Sequence, residues 1–306
     1  GSSAADSLDG AAPDGAGGVF VCGDTDGNLG GANVGGRDGW LARYSSTGTQ
    51  LWVRHFGNSS QDAATALAPD GVGGVFVCGG ADGNLGGTGA GGMDVWLARY
   101  DAAGNQLWIR KLGSSALDLA AAATTDGAGG VCIAGWTYGD LGGANDGDAD
   151  AWLARFDASG NHLWTRQFGT TGADIALALA LDASGRIAVS GNTDGDLATP
   201  NAGPSDAWVA SYATSGTWLW VDQFGSSASE SSAALAGDSY GGLYVAGSTL
   251  GDLAAPGAGS WDAWIVRYAS PPIASYCTAG TTSHGCAATI GSTGAPSASA
   301  ASGFVL

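Results

Sequence analysis

Three sets of residues have the types and spacing to do chemistry. Asp24-Thr25-Asp26-Gly27-Asn28-Leu29 opens like a calcium loop, with oxygen ligands alternating along a turn that contains glycine. Asp24, Asp26 and Asn28 would be the ligands. No glutamate follows at the spacing that closes an EF-hand, and the third position runs Asp26, Asp82, Tyr138, Asp194, Leu250 in corresponding segments. The text therefore fits a calcium site and a plain turn. Cys277 and Cys286 bracket eight residues that include His284. That spacing suits a disulfide in an oxidising compartment, and with His284 it also offers three ligands for a metal.

The third set is acidic and recurs. Asp38, Asp94, Asp150, Asp206 and Asp262 each have Arg five residues on (Arg43, Arg99, Arg155, Arg267), except that Ser211 stands in the fourth. Five is odd, so on one regular strand the two side chains face opposite ways. Pairing with a neighbouring repeat, or capping of a turn, is the expectation. Asp14, Asp70, Asp126, Asp182 and Asp238 fall on turns, and Asp6, Asp62, Asp118, Asp174 and Glu230 form another register, read as turn or inter-repeat acceptors.

Catalysis needs dissimilar groups converging on one place. His55 aligns with Lys111, Gln167 and Gln223, and His162 with Gln50, Gln106 and Trp218, which reads as two variable strand-end positions. Gly237-Asp238-Ser239-Tyr240-Gly241 spells a nucleophile elbow but lacks a following helix, so it reads as a turn. Neither His-Glu-x-x-His nor a phosphate-cradling Gly-x-x-x-x-Gly-Lys occurs. The sequence predicts no enzyme and names no cofactor other than the candidate calcium.

What positions these residues is a repeat. Phe56, Leu112, Phe168 and Phe224 are each followed by glycine, a period of 56 residues, and five copies fill residues 1–56, 57–112, 113–168, 169–224 and 225–280. Trp40, Trp96, Trp152, Trp208 and Trp264 follow the Asp ladder by two residues. Trp52, Trp108, Trp164 and Trp220 form a second ladder, which becomes Tyr276 in the fifth copy. Within a copy, an Ala-rich run, a short apolar segment bounded by glycine, and a hairpin turning at Asp101-Ala102-Ala103-Gly104 give four strands. With one lysine and one glutamate in 306 residues, the good formers of exposed helix are missing.

The expected fold is all-β: a β-propeller of five four-stranded antiparallel blades over 1–280, with a Ser/Ala/Gly-rich tail at 281–306. A solenoid is the competing architecture. Both Trp ladders should pack between sheets, each ring burying on the order of 150–250 Å². Cys22, Cys78 and Cys132 sit on apolar strands and read as core. The fifth copy loses the hairpin glycine, which leaves a closed ring, the favoured reading, beside an arc whose edges await another chain.

Asp-Ala-Trp-Leu-Ala-Arg-Phe-Asp-Ala-Ser-Gly-Asn-His-Leu-Trp (150–164), Gln-Phe-Gly (167–169) and Gly-Asn-Thr-Asp-Gly-Asp-Leu (191–197) resemble the bacterial SBBP-type β-propeller repeat. The hairpin is also similar to blades of quinoprotein-like propellers, although no residues match their cofactor site. The SBBP resemblance implies a propeller from an exported bacterial protein, extracellular or on the cell surface, and implies no reaction. The tail resembles the start of a C-terminal module of exported proteins.

A net charge of −18 argues against nucleic acid, which demands clustered Lys and Arg, and no run of about 18 apolar residues exists to insert in a membrane. Residues 1–20 carry no signal-peptide pattern, which suits a soluble, already processed chain. Two functions follow as expectations. One is a structural or protein-interaction module that self-associates through an edge strand or the tail. The other is a glycan-binding, lectin-like propeller using exposed Trp and acidic acceptors.

Overall fold

A computed structural model describes residues 1–238, 240–253, 256–257, 259–269 and the backbone of 274–278. Those residues form twenty strands and no helix. Each repeat makes one four-stranded antiparallel sheet whose strands pair in chain order. The first sheet is β1 (Gly10–Pro13), β2 (Val19–Thr25), β3 (Asp38–Tyr44) and β4 (Gln50–Phe56). The second is β5 (Ala66–Pro69), β6 (Val75–Ala81), β7 (Asp94–Tyr100) and β8 (Gln106–Leu112), and the third β9 (Asp118–Thr125), β10 (Val131–Thr137), β11 (Asp150–Phe156) and β12 (His162–Phe168). The fourth is β13 (Asp174–Leu181), β14 (Ile187–Thr193), β15 (Asp206–Tyr212) and β16 (Trp218–Phe224); the fifth is β17 (Glu230–Gly237), β18 (Leu243–Thr249), β19 (Asp262–Tyr268) and β20 (Ala274–Thr278). The chain divides into two compact units: sheets one to three, and sheets four and five with Asp146–Asp148.

Strand periodicity explains why the sheets stack. Alternate residues face opposite ways, and the central strands are apolar on both sides. Phe20, Cys22 and Leu41 leave one face of the first sheet and meet Val75, Val77, Trp96, Ala98 and Tyr100 of the second. Phe76, Cys78, Val95 and Leu97 meet Val131, Ile133, Trp152 and Phe156 of the third in the same way. In the second unit, Ala188, Ala207 and Val209 meet Val245, Trp264, Val266 and Tyr268. Within each unit a sheet thus covers its neighbour with the same positions of the repeat.

One glycine per repeat is demanded by backbone crowding. In the third sheet Gly135 pairs with Ala120 and Ala134 with Ala122, leaving Ala121 as a bulge. The bulge pushes a carbonyl towards the second strand. A Cβ on Gly23, Gly79, Gly135, Gly191 or Gly247 would land on the carbonyl oxygen of Ser7, Ala63, Leu119, Ile175 or Ser231 respectively. Gly79→Ala should therefore destabilise the chain by about 3 kcal/mol, read as a lowered thermal midpoint by circular dichroism. An unchanged melt would mean the bulge relaxes freely.

Cys22, Cys78 and Cys132 are free and fully buried. Burial holds the Cys78 and Cys132 thiols up at about 12 and pushes Cys22 up as well, so all three stay protonated near neutral pH. The Cys277–Cys286 pairing, the Tyr276 side chain and the 281–306 tail lie outside the described residues.

Candidate functional site: the acid ladders at the sheet junctions

The turn acids have a structural task. Asp14 Oδ1 accepts the backbone N–H of Ala16 and Gly18, closing the β1–β2 turn, and Asp70, Asp126 and Asp238 repeat the geometry. The second oxygen takes the arginine of the third strand: Arg43–Asp14 at 2.8 Å, Arg99–Asp70 at 2.9 Å, Arg155–Asp126 at 2.8 Å and Arg267–Asp238 at 2.7 Å. Where Ser211 replaces that arginine, Arg186 supplies the cation to Asp182 at 2.6 Å from within the turn itself. The arginine's partner is thus the turn acid of its own sheet. It is not the acid five residues earlier, as the parity argument required, because Phe20 opposite Arg43 brings the turn side of the sheet to that face.

These arginines also reach across. Arg43 Nη1 and Trp52 Nε1 both donate to Ala102 O, at 2.8 and 3.0 Å, and Arg54 Nε donates to Gly104 O at 2.7 Å. Arg99, Trp108 and Arg110 hold the third sheet's hairpin through Ala158 and Gly160 identically. The two Trp ladders therefore differ. Trp96, Trp152 and Trp208 are fully buried, with Trp40 and Trp264 nearly so. Trp52, Trp108, Trp164 and Trp220 are only half-buried, because an outer strand has a neighbour on one side. The Trp52 and Trp108 rings lie over Gly104 and Gly160, where a Cβ would come within 2.8 Å of the indole.

The Asp38 ladder is the deepest polar feature. Register sets Trp40 opposite His55, so Asp38, two residues earlier, shares that face. His55 Nε2 lies 2.8 Å from Asp38 Oδ2, Lys111 Nζ 3.2 Å from Asp94, Gln167 Nε2 2.9 Å from Asp150 and Gln223 Nε2 3.0 Å from Asp206. Position 55 and its equivalents are thus the donors that partner a buried acid, and the reading of them as variable strand ends is corrected. All four residue types carry a donor, each 17 residues after its aspartate, but that spacing alone does not show that the two side chains meet. The same Asp oxygen accepts a loop N–H from Val34, Ala90 or Ala202, so turn capping was a correct expectation. Among the described residues, Asp38 Oδ1, Asp94 Oδ1 and Asp206 Oδ1 have no hydrogen-bond donor. They press against Gly57, Gly113 and Gly225, where a Cβ would overlap them, and this explains the glycine after Phe56, Leu112 and Phe224.

Within each unit the next sheet brings a second acid to the junction. Asp62 accepts Asn58 N at 2.7 Å and Asn58 Nδ2 at 3.0 Å, and Asp118 accepts Ser114 N, Ser114 Oγ and the Thr137 hydroxyl. Glu230 takes Ser226 N, Ser226 Oγ and Thr249 Oγ1. Burial raises the Asp62 carboxyl to about 6, with the charges of Asp38 and Asp82 adding and the Asn58 N–H and Lys111 opposing. Burial raises Asp118 as well, with Asp94 adding to it.

At the calcium-like text, Arg37 Nε stands 2.8 Å from Asp24 and 3.4 Å from Asp26. Asp24 also accepts the Ser7 hydroxyl, and Asn28 Oδ1 turns back to accept Asn33 N at 2.8 Å. Among the described residues, no group of three His, Cys, Asp or Glu is placed to hold a metal ion. His162 sits apart from the acids, its Nε2 2.7 Å from Thr165 Oγ1. Of the elbow-like text, Asp238 caps the turn and Gly241 adopts φ +83°, while Ser239 lies outside the described residues.

No family model matches the chain. It is 32% identical over 157 residues to regulatory protein FlaEY of Caulobacter vibrioides, a match spanning 45% of this chain and 16% of that protein. Among solved structures it is similar to a puromycin hydrolase (14% identity, TM-score 0.44, 88% of this chain and 37% of that one). An ulvan lyase is similar at 12% identity, TM-score 0.45, over 86% and 68% of the two chains. A luciferin-regenerating enzyme follows at 10% identity, TM-score 0.41, over 87% and 73%.

Proposed function

We propose that this chain is a non-catalytic β-propeller module of an exported bacterial protein, extracellular or surface-bound, that serves as a structural or protein-interaction scaffold. One observation carries this reading: the repeated acids, arginines and tryptophans are engaged in closing turns and joining sheets. Chemistry that recurs by symmetry and is consumed in packing supports a scaffold over a reaction centre.

The fifth sheet supports an interaction role. Its Tyr244 is 40% exposed where the equivalent Phe20 and Phe76 are fully buried, and Ala263 and Ile265 are likewise more open than Val95 and Leu97. Such a face fits the covering that a repeat of this kind provides. In a propeller the first repeat would supply it, and in an assembly another protein would.

Light scattering of the full chain across a hundredfold concentration range, with and without residues 281–306, tests the interaction role. Self-association weakened by Tyr244→Asp is the expected result. A monomer at every concentration that binds specific glycans on an array, with loss on replacing the exposed Trp218 or Trp261, would replace the scaffold by the lectin reading.

A further inference from the structure

At one junction a histidine stands between two acceptors. His55 Nδ1 lies 3.0 Å from the Leu29 carbonyl oxygen and Nε2 lies 2.8 Å from Asp38 Oδ2, with the imidazole 4% exposed and the carboxyl 0%. Both neighbours are acceptors. A neutral imidazole has one N–H and would leave a lone pair facing a lone pair, whereas the imidazolium donates to both. The second, third and fourth sheets perform the same double donation from a single nitrogen that carries two or more hydrogens. Lys111 Nζ donates to Gly83 O and Asp94, Gln167 Nε2 to Gly139 O and Asp150, and Gln223 Nε2 to Gly195 O and Asp206. Histidine is the side chain whose charge changes between about pH 5 and 8.

We propose that His55 makes the junction of the first and second sheets a pH-responsive joint, tightened when the imidazole is doubly protonated and loosened when it gives up a proton. The groups facing it set the sign. Asp38 contacts it from β3, and Asp62 of the second sheet stands behind Asp38, with Asp82 and Lys111 beyond; Arg37 is turned away onto Asp24 and Asp26. With the imidazole doubly protonated, its charge balances the carboxylate it touches and both tethers are made. With one ring proton gone, one of the two tethers, to the Leu29 loop or to Asp38, is lost. Asp62 acts in the same direction: its folded-state value of about 6 lies above the usual carboxylate range near 4, so its contribution to stability falls as pH rises through that window. Acid tightens this joint and base opens it.

Hydrogen exchange of the full chain at pH 5.5 and 8.0, corrected for intrinsic rates, reads the joint directly. Peptides over 27–38 and 50–62 should lose roughly tenfold protection at the higher pH, about the worth of one lost hydrogen bond. His55→Gln installs the group used in the third and fourth sheets and should shrink that difference to the smaller part that Asp62 contributes. Peptides over 195–206 and 218–230, where Gln223 does the work, should show none in either protein. Equal protection of the wild-type peptides at both pH values, or the same loss in the variant, overturns the proposal. Imidazole nitrogen NMR of the wild-type chain near pH 6 decides independently of whether the variant folds. Two protonated nitrogens on His55 support the joint, and one refutes it.

Discussion

Replacing Asp94 by alanine is expected to cost the folded chain about 3–5 kcal/mol, because the change strands a buried ammonium. Lys111 is 6% exposed, and its Nζ has Asp94 and the Gly83 carbonyl as partners. Deleting the carboxylate also takes the acceptor from Ala90 N, 3.0 Å away, and opens a void against Gly113. Lys111→Gln should by contrast cost less than about 1.5 kcal/mol, since Gln167 and Gln223 fill that place elsewhere. If the penalty of Asp94→Ala comes from the uncompensated cation, the double variant recovers a part of it, a coupling of about 1 kcal/mol or more. Urea denaturation followed by Trp fluorescence measures all three. Strict additivity would show that the acid acts through packing and its loop contact alone.

Trp96→Ala is expected to lose about 3–5 kcal/mol and to broaden the unfolding of the first three sheets. The ring is fully buried, stands edge-on to Phe56 at 4.7 Å, and donates from Nε1 to Ala63 O at 3.0 Å. That carbonyl is the one a Cβ on Gly79 would strike, so the indole both fills the junction and satisfies the oxygen that forbids a side chain there. Trp52→Ala removes a half-buried ring and one hydrogen bond to Ala102 O, so its cost should be smaller, about 1–3 kcal/mol. Trp261→Ala, at a site 53% exposed, should stay within about 0.5 kcal/mol. The ordering of these three midpoints is the check, and a Trp52 effect equal to that of Trp96 would contradict the difference in burial.

The chain carries 28 acidic and 10 basic residues, and many of the acids are buried acceptors of backbone and hydroxyl donors. Asp14, Asp62 and Asp118 each take an N–H from two to four residues along the chain, which is why aspartate, short and doubly accepting, holds these positions. The acidity is built from local turn chemistry as much as from an exposed acidic surface.

The period of 56 residues, the strand count and the hairpin turns were legible in the sequence because they rest on local signals: alternation, glycine punctuation and in-register aromatics. Parity along a strand correctly denied an Asp38–Arg43 pair. Which acid takes which donor was a different matter. Arg43 meets Asp14, 29 residues away, and His55 meets Asp38 across a hairpin, and both pairings depend on cross-strand register. Spacing along the chain cannot show that register until the hairpin and its bulge between Arg43 and Tyr44 are placed. The ladder glycines carry the same lesson, since Gly57 and Gly79 are fixed by a carboxylate and a carbonyl that approach from other strands. By itself the sequence determined five copies of one four-stranded sheet, because repetition and alternation are properties of the chain. Only the tertiary structure decided that position 55 serves a buried acid and that the outer tryptophans stay half in water, because donor geometry and burial are set by what a neighbouring strand or sheet presents.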